Sequence, residues 1–165
     1  MLNHSHEWKG CQDGFDALEI VKQKYPELQV NLFGTDPRPE HLPAWYKYYR
    51  RPDQATHNRL YNEAAIFLGT SYIEGWGLTV GEAMMCGCAV VCTDNDGYRE
   101  MAANQQTALV SPIKNPRMLA ENMIRLIEDD KLRMEIAENG HRYIQRFTWD
   151  ESYKRFKSVA DDSDK

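Results

Sequence analysis

The chain is short of basic residues. Its 165 positions hold 20 Lys and Arg against 25 Asp and Glu, a net charge of -5. Affinity for nucleic acid rests on clustered cations that displace counterions from phosphates, so this balance argues against DNA or RNA as a partner. Long apolar runs are missing too. No stretch approaches the roughly 18 residues that span a bilayer, and residues 1–10 have neither the basic start nor the apolar centre of a signal peptide. The chain therefore reads as soluble and cytoplasmic, with no transmembrane segment. Cysteine is scarce, with four at positions 11, 86, 88 and 92. The C-x-C-x3-C spacing of the last three lacks the paired ligands of a zinc site, so small buried thiols in a reducing compartment are expected, with no metal and no disulfide. The five histidines have no carboxylate or cysteine pattern beside them, and His4 and His6 read as surface or hinge residues. There is no internal repeat and no low-complexity segment.

What is present has the balance of one globular domain, 42% hydrophobic and 27% charged. Phe15, Leu18, Val21 and Tyr25 recur at helical spacing until Pro26 stops them, which predicts a helix over 13–25. Alternation over 28–34 predicts a strand. A proline-rich loop over 35–43, a short strand at 45–49, a helix opening near Asp53 and a strand over 65–70 follow. Next come a loop through Gly77, a helix from Leu78 to Cys86, a strand from Ala89 to Thr93, a short helix over 98–102 and a strand over 108–111. Beyond Pro112 the chain reads as helical, with Leu119, Met123 and Leu126 on one helix and Leu132, Ile136, Tyr143 and Phe147 on the next. Thr148 and Glu151 form a capping box that starts a last helix, and residues 161–165 are expected to fray. Repeated strand–helix alternation predicts the α/β class: a doubly wound, Rossmann-like parallel sheet of about six strands, with helices on both faces and at the C-terminus. Only residues 1–4 are left for the first strand. The sequence thus reads as a single Rossmann-like domain over 1–160 that either starts late or is the second domain of a longer protein.

The chemistry is concentrated in "TSYIEGWGLTVGEAMMCGCAVV", residues 70–91. Open parallel sheets bind ligands beyond the carboxyl ends of their strands, and residues 71–77 form such a loop. Gly75 and Gly77 are expected to let the backbone approach a ligand closely and adopt positive φ, while the free amides at the start of the next helix suit a phosphate. Glu82, a little over one turn inside that helix, can accept from both hydroxyls of a ribose diol. Glu74 can accept from sugar hydroxyls. Taken by themselves, these residues also fit a common β-α loop with a dipole partner and a surface acid.

The stretch "EGWGLTVGEAMMCGCAVVCTDNDGYRE" resembles the signature of family-4 retaining glycosyltransferases of the GT-B fold. The resemblance lies in Glu74 and Glu82 as an E-x7-E pair, Gly75-Trp76-Gly77, the turn "EAMMCGCAVV" with Cys88 where the family has proline, and Asp94, Gly97 and Glu100. Downstream, "FTW" at 147–149 is similar to a step in the family's closing helices. Upstream, "EWKG" at 7–10 is similar to its phosphate-binding lysine and glycine, and His4 stands nearest the position of a family arginine. The resemblance implies a donor-binding second domain that works on a UDP- or GDP-sugar without a metal or other cofactor. It implies Lys9 with the amides of Gly77, Leu78 and Thr79 on the diphosphate, Glu82 on the ribose, Glu74 on the donor sugar, and the base near Arg51 and Pro52. Trp76 belongs to the same donor loop. Asp94 and Glu100 read as structural, with Gly97 supplying a positive φ. A saccharide or lipid-linked acceptor would be held by an N-terminal domain, in an enzyme at most peripheral to the inner face of a membrane. A flavodoxin-like phosphate-binding module and an interaction domain that kept only the fold are the competing readings.

Overall fold

Alternation in the strands carries the architecture, because successive side chains point to opposite faces of a sheet. In β4 (Ala89–Thr93), Ala89 and Val91 enter one apolar cluster while Val90 and Cys92 enter the other. β1 (Val30–Gly34) and β3 (Ile66–Gly69) divide in the same way, with Leu32 and Leu68 on one face and Phe33 and Phe67 on the other. The structure, a computed structural model, describes residues 1–40 and 42–162. A 3-10 turn (Glu7–Lys9) leads into α1 (Cys11–Lys24), and β2 (Tyr46–Arg50) is followed by α2 (Gln54–Asn62). α3 (Leu78–Met85), α4 (Asp96–Arg99), β5 (Leu109–Ser111), α5 (Pro116–Glu128), α6 (Asp130–Ile144) and α7 (Trp149–Asp162) complete the chain. Phe15, Leu18 and Val21 of α1 meet Leu119, Met123 and Leu126 of α5 on the first face. Leu60 of α2, Val80 and Met84 of α3 and Tyr98 of α4 fill the second.

All strand pairs are parallel: β1 with β2, and β3 with β4 with β5. The described residues thus hold five strands in two sheets, of two and three strands, where one sheet of about six was expected. Met1–Asn3 runs beside β1 with only an isolated parallel bridge between Leu2 and Phe33, in which the Asn3 amide donates to the Phe33 carbonyl at 2.8 Å. Three residues cannot extend that bridge into a ladder, and a cavity of about 450 Å³ lined by Val30, Phe33, Ile66 and Leu68 lies between β1 and β3.

Several local expectations are corrected. The short helix runs over Asp96–Arg99 rather than 98–102, because Asn95 caps it: its side chain accepts from the Tyr98 amide at 3.0 Å. Gly97 lies inside that helix and has no positive φ. Its need is space, since a Cβ there would stand 2.5 Å from the Glu74 carbonyl oxygen. The capping box at α7 forms by half. The Glu151 amide donates to Thr148 Oγ1 at 3.2 Å, while the Glu151 carboxylate accepts from Lys154 at 2.7 Å. α7 continues to Asp162, and the rest of the tail expected to fray, residues 163–165, lies outside the described residues. No helix among the described residues is long and apolar enough to cross a membrane.

Burial pushes the Cys88 and Cys92 thiols up to about 12 and raises the Tyr98 phenol. The unfolded chain releases these protons first, from an ordinary thiol value of about 8.5, so their contribution is complete below that pH and is lost as pH rises toward the folded values. Thermal unfolding between about pH 8 and pH 11 is expected to show a steadily falling Tm, and a flat Tm over that range would refute it.

Candidate functional site

Three loops meet at the carboxyl edge of the strands. The turn at Glu7–Gly10 is stitched to the segment after β3: the Tyr72 amide donates to the Trp8 carbonyl and Thr70 Oγ1 to the Lys9 carbonyl, each at 2.7 Å. Gly10, at φ 59°, permits this contact, because a Cβ there would lie 2.2 Å from the Thr70 carbonyl oxygen. The segment after β4 closes the other side, where Thr93 Oγ1 and Asn95 Nδ2 both donate to the Ser71 carbonyl.

This stitching brings together the two residues expected to do chemistry, which lie 65 positions apart. Lys9 Nζ stands 2.7 Å from Glu74 Oε1 in a pair whose side chains are 20% and 15% exposed. Ser71 Oγ donates to the same oxygen at 2.7 Å. A partly buried ion pair loses hydration at both ends, so the extra hydroxyl matters to its stability. Glu74 Oε2 receives no hydrogen bond among the described residues.

Beside this pair α3 begins. Gly77 sits at φ 93° with no side chain capping the helix, and the Val80 and Gly81 amides donate back to its carbonyl. The Leu78 and Thr79 amides therefore lie ahead of the helical ladder, at the positive end of the helix dipole. Thr79 lines one small cavity together with Lys9, Ser71 and Tyr98. Gly75, unlike Gly77, does not take the positive φ expected of it; it has open space where a side chain would stand, and Leu78 is 69% exposed. The Trp76 ring turns inward, packing over Gly81 and 5.5 Å from the Phe147 ring. What Trp76 can offer a ligand is its backbone.

Glu82 is exposed on α3, three residues beyond Thr79, a spacing that puts both on one helix face. Its Oε2 accepts from the buried Tyr61 hydroxyl at 2.8 Å. Arg51 and Pro52 follow β2 at the same sheet edge, with Arg51 at φ 46° donating its amide to the Gly34 carbonyl at 2.7 Å. No contact among the described residues joins them to Lys9 or Glu74. Their connection to the rest of the site runs through α2, which they precede and which carries Tyr61.

Asp94 is held by Arg99 through two hydrogen bonds of 2.7 and 3.1 Å, which keeps its carboxyl below the usual carboxylate range. Glu100 is exposed at the end of α4. The histidines read as surface or hinge residues lie at the surface, His6 exposed and His4 half-buried, and there they form a stack. His4 and His6 lie 4.5 Å apart by ring centroid, His6 and Trp8 4.1 Å, and His4 Nδ1 is 4.0 Å from Asp36. No group of three or more His, Cys, Asp or Glu among the described residues could hold a metal ion. Sequence reasoning missed Ser71, Asn95 and Tyr61. Ser71 stands three residues before Glu74, a spacing that could have suggested it, whereas nothing local links Tyr61 to Glu82, 21 positions away.

Comparison with known proteins gives the family and the fold. The profile of the family described as "Glycosyl transferases group 1" matches residues 1–143. An N,N'-diacetylbacillosaminyl-diphospho-undecaprenol alpha-1,3-N-acetylgalactosaminyltransferase of Campylobacter jejuni is 39% identical over 139 residues, 80% of this chain and 36% of that protein. A phosphatidyl-myo-inositol mannosyltransferase of Mycobacterium tuberculosis is 26% identical over 152 residues, 86% of this chain and 40% of that protein. The chain thus spans well under half the length of these relatives. Among solved structures, the C-terminal domain of the group 1 glycosyl transferase LpcC from Francisella tularensis superposes with a TM-score of 0.75 at 24% identity, covering 86% of this chain and 80% of that one. Anabaena HepE in complex with UDP-glucose superposes at 0.81 with 22% identity, over 98% of this chain and 47% of that one. With its parallel sheet flanked by helices, its stitched glycine loops and a profile match over most of its length, the chain belongs to the group 1 glycosyl transferases and has the fold of a GT-B C-terminal domain.

Proposed function

We propose that this chain is the donor-binding domain of a retaining, nucleotide-sugar-dependent glycosyltransferase that moves a hexose-type sugar to a saccharide or lipid-linked acceptor. The observation that carries the reading is the Lys9–Glu74 pair at 2.7 Å beside the uncapped start of α3. A lysine ammonium has three donors, and Glu74 occupies one of them. The others, with the amides of Gly77, Leu78 and Thr79, would hold the diphosphate and offset its charge as it leaves, an electrostatic term that commonly dominates such catalysis. Because cation and dipole already stand there, the proposal needs no metal. Glu82 would accept from the ribose. Glu74, fixed through Oε1 by Lys9 and Ser71, would present Oε2 to the donor sugar hydroxyls. Arg51 and Pro52 would flank the base. Two relatives, a diphospho-undecaprenol-linked N-acetylgalactosaminyltransferase and a phosphatidyl-myo-inositol mannosyltransferase, and the UDP-glucose bound to HepE support the substrate classes. The acceptor, and the closure that excludes water, would come from a partner domain in a cytoplasmic enzyme.

Calorimetry with UDP and GDP tests the reading. One of them should bind weakly and without change on adding a chelator, and this chain alone should transfer no sugar. Absence of binding by both nucleotides would overturn the donor-site assignment. Glu74→Ala is expected to leave nucleoside diphosphate affinity within about threefold, under roughly 0.7 kcal/mol, since freeing the ammonium offsets the loss of its anchor. The same variant should cripple transfer in the full-length enzyme. A loss of diphosphate affinity well beyond threefold would mean that Glu74 serves the phosphates rather than the sugar.

A further inference from the structure

Glu82 is an exposed side chain on an exposed helix face, and such a glutamate ordinarily samples several rotamers. Here one group restrains it. Tyr61 Oη donates to Glu82 Oε2 at 2.8 Å, and no other side chain among the described residues donates to that carboxylate. Tyr61 is itself immobile by packing. It is 4% exposed, with the Phe33 ring at 5.6 Å and near-perpendicular, Phe67 at 5.6 Å and His57 at 4.9 Å. The Cys88 thiol donates to the Tyr61 carbonyl at 3.2 Å, which ties the end of α2 to the start of β4. Burial, and after it the bond to Glu82, raises the phenol, so it stays a donor through the physiological range. A hydrogen bond to an ionised acceptor is strong and directional. It consumes one carboxylate oxygen and leaves the other aimed by a rigid neighbour.

We propose that Tyr61 is a positioning residue for nucleotide binding: its hydroxyl holds Glu82 in the orientation from which Oε1 meets a ribose diol, although Tyr61 touches no part of the nucleotide. This rests on the donor-site reading above. Pre-ordering a binding group cuts the entropy lost when the ligand arrives, so affinity gains without a new contact. The simpler role, a buried hydroxyl that merely finds a surface acid, predicts a stability effect blind to the ligand.

The test is calorimetry on wild type, Tyr61→Phe, Glu82→Ala and the double variant. The probes are UDP or GDP, whichever wild type binds, its 2′,3′-dideoxy analogue, and inorganic pyrophosphate. Tyr61→Phe is expected to weaken the ribonucleoside diphosphate about three- to tenfold and to leave the dideoxy analogue and pyrophosphate within about twofold. Added to Glu82→Ala it should cost nothing further, because its effect passes through that carboxylate. Equal weakening of all three probes, or no weakening of any, overturns the positioning role while a loss in Glu82→Ala leaves the donor site standing. If wild type binds no nucleoside diphosphate, or Glu82→Ala binds it as well as wild type, the donor-site reading falls and this inference with it. All titrations are run well below the Tm of each variant, measured by circular dichroism, so that a loss of binding reports a changed site and not an unfolded chain.

Discussion

Replacing Glu82 with alanine is expected to lower UDP or GDP affinity about ten- to a hundredfold. A carboxylate that accepts from both ribose hydroxyls makes charge-assisted bonds, and loss of such a bond costs roughly 1.5–3 kcal/mol, where each 1.4 kcal/mol is about a factor of ten. The free oxygen and the exposed position of Glu82 on α3 leave it able to make them. Removal has a second consequence, because the Tyr61 hydroxyl then loses its partner in a mostly buried setting. Affinities should therefore be compared by titration well below the Tm of both proteins. The contrast with Glu74→Ala is the decisive feature: equal losses would erase the division between a ribose acid and a sugar acid, and no loss in either would return the loop to surface acids beside a tight turn.

Gly10→Ala is expected to be the most destabilising single-methyl change at the site, at about 3–5 kcal/mol. Two costs combine. A Cβ in the left-handed region at φ 59° costs roughly 1–2 kcal/mol, and overpacking adds roughly 1–3 kcal/mol. The overlap here is severe, because the obstacle 2.2 Å away is the Thr70 backbone carbonyl and cannot rotate aside. For a chain of this size the loss corresponds to a Tm lower by about 6–20 °C. Thermal unfolding by circular dichroism measures it, and a Tm within about 2 °C of wild type would show that the 7–10 turn is not held against Thr70 as described. The same displacement carries Lys9 away from Glu74, so nucleotide affinity should fall with stability in this variant.

Much of the fold was legible from pattern alone. α1 was read to within two residues, β4 to its ends, and the start of α3 at Leu78 from the glycines before it. The misreadings have two causes. The helix at 96–99 was placed late because its start is set by the Asn95 side chain, a capping signal weaker than the apolar positions that follow it. Gly97 was assigned a conformational role where the requirement is clearance for the Glu74 backbone, a neighbour 23 positions back. Within the site, Glu74, Glu82 and Gly77 stood out by residue type and spacing, and Lys9 by the resemblance of "EWKG" to a step of the family. Ser71 and Tyr61 did not, since a serine in a loop and a tyrosine on a helix are ordinary.

The sequence by itself determined the alternation of strands and helices, the parallel pairing of the strands and the glycine loop with its two acids. Each of these follows from periodicity, composition or residue type within a short window. Only the tertiary structure decided that Lys9 and Glu74 form one ion pair across 65 positions, that Ser71 shares its acceptor, and that Glu82 is held by Tyr61. It also decided that Trp76 faces the core rather than the crevice. The physical reason is that side-chain partnership depends on how parallel strands bring distant loops to one sheet edge. That placement is fixed by packing on both faces of the sheet, which no local window contains.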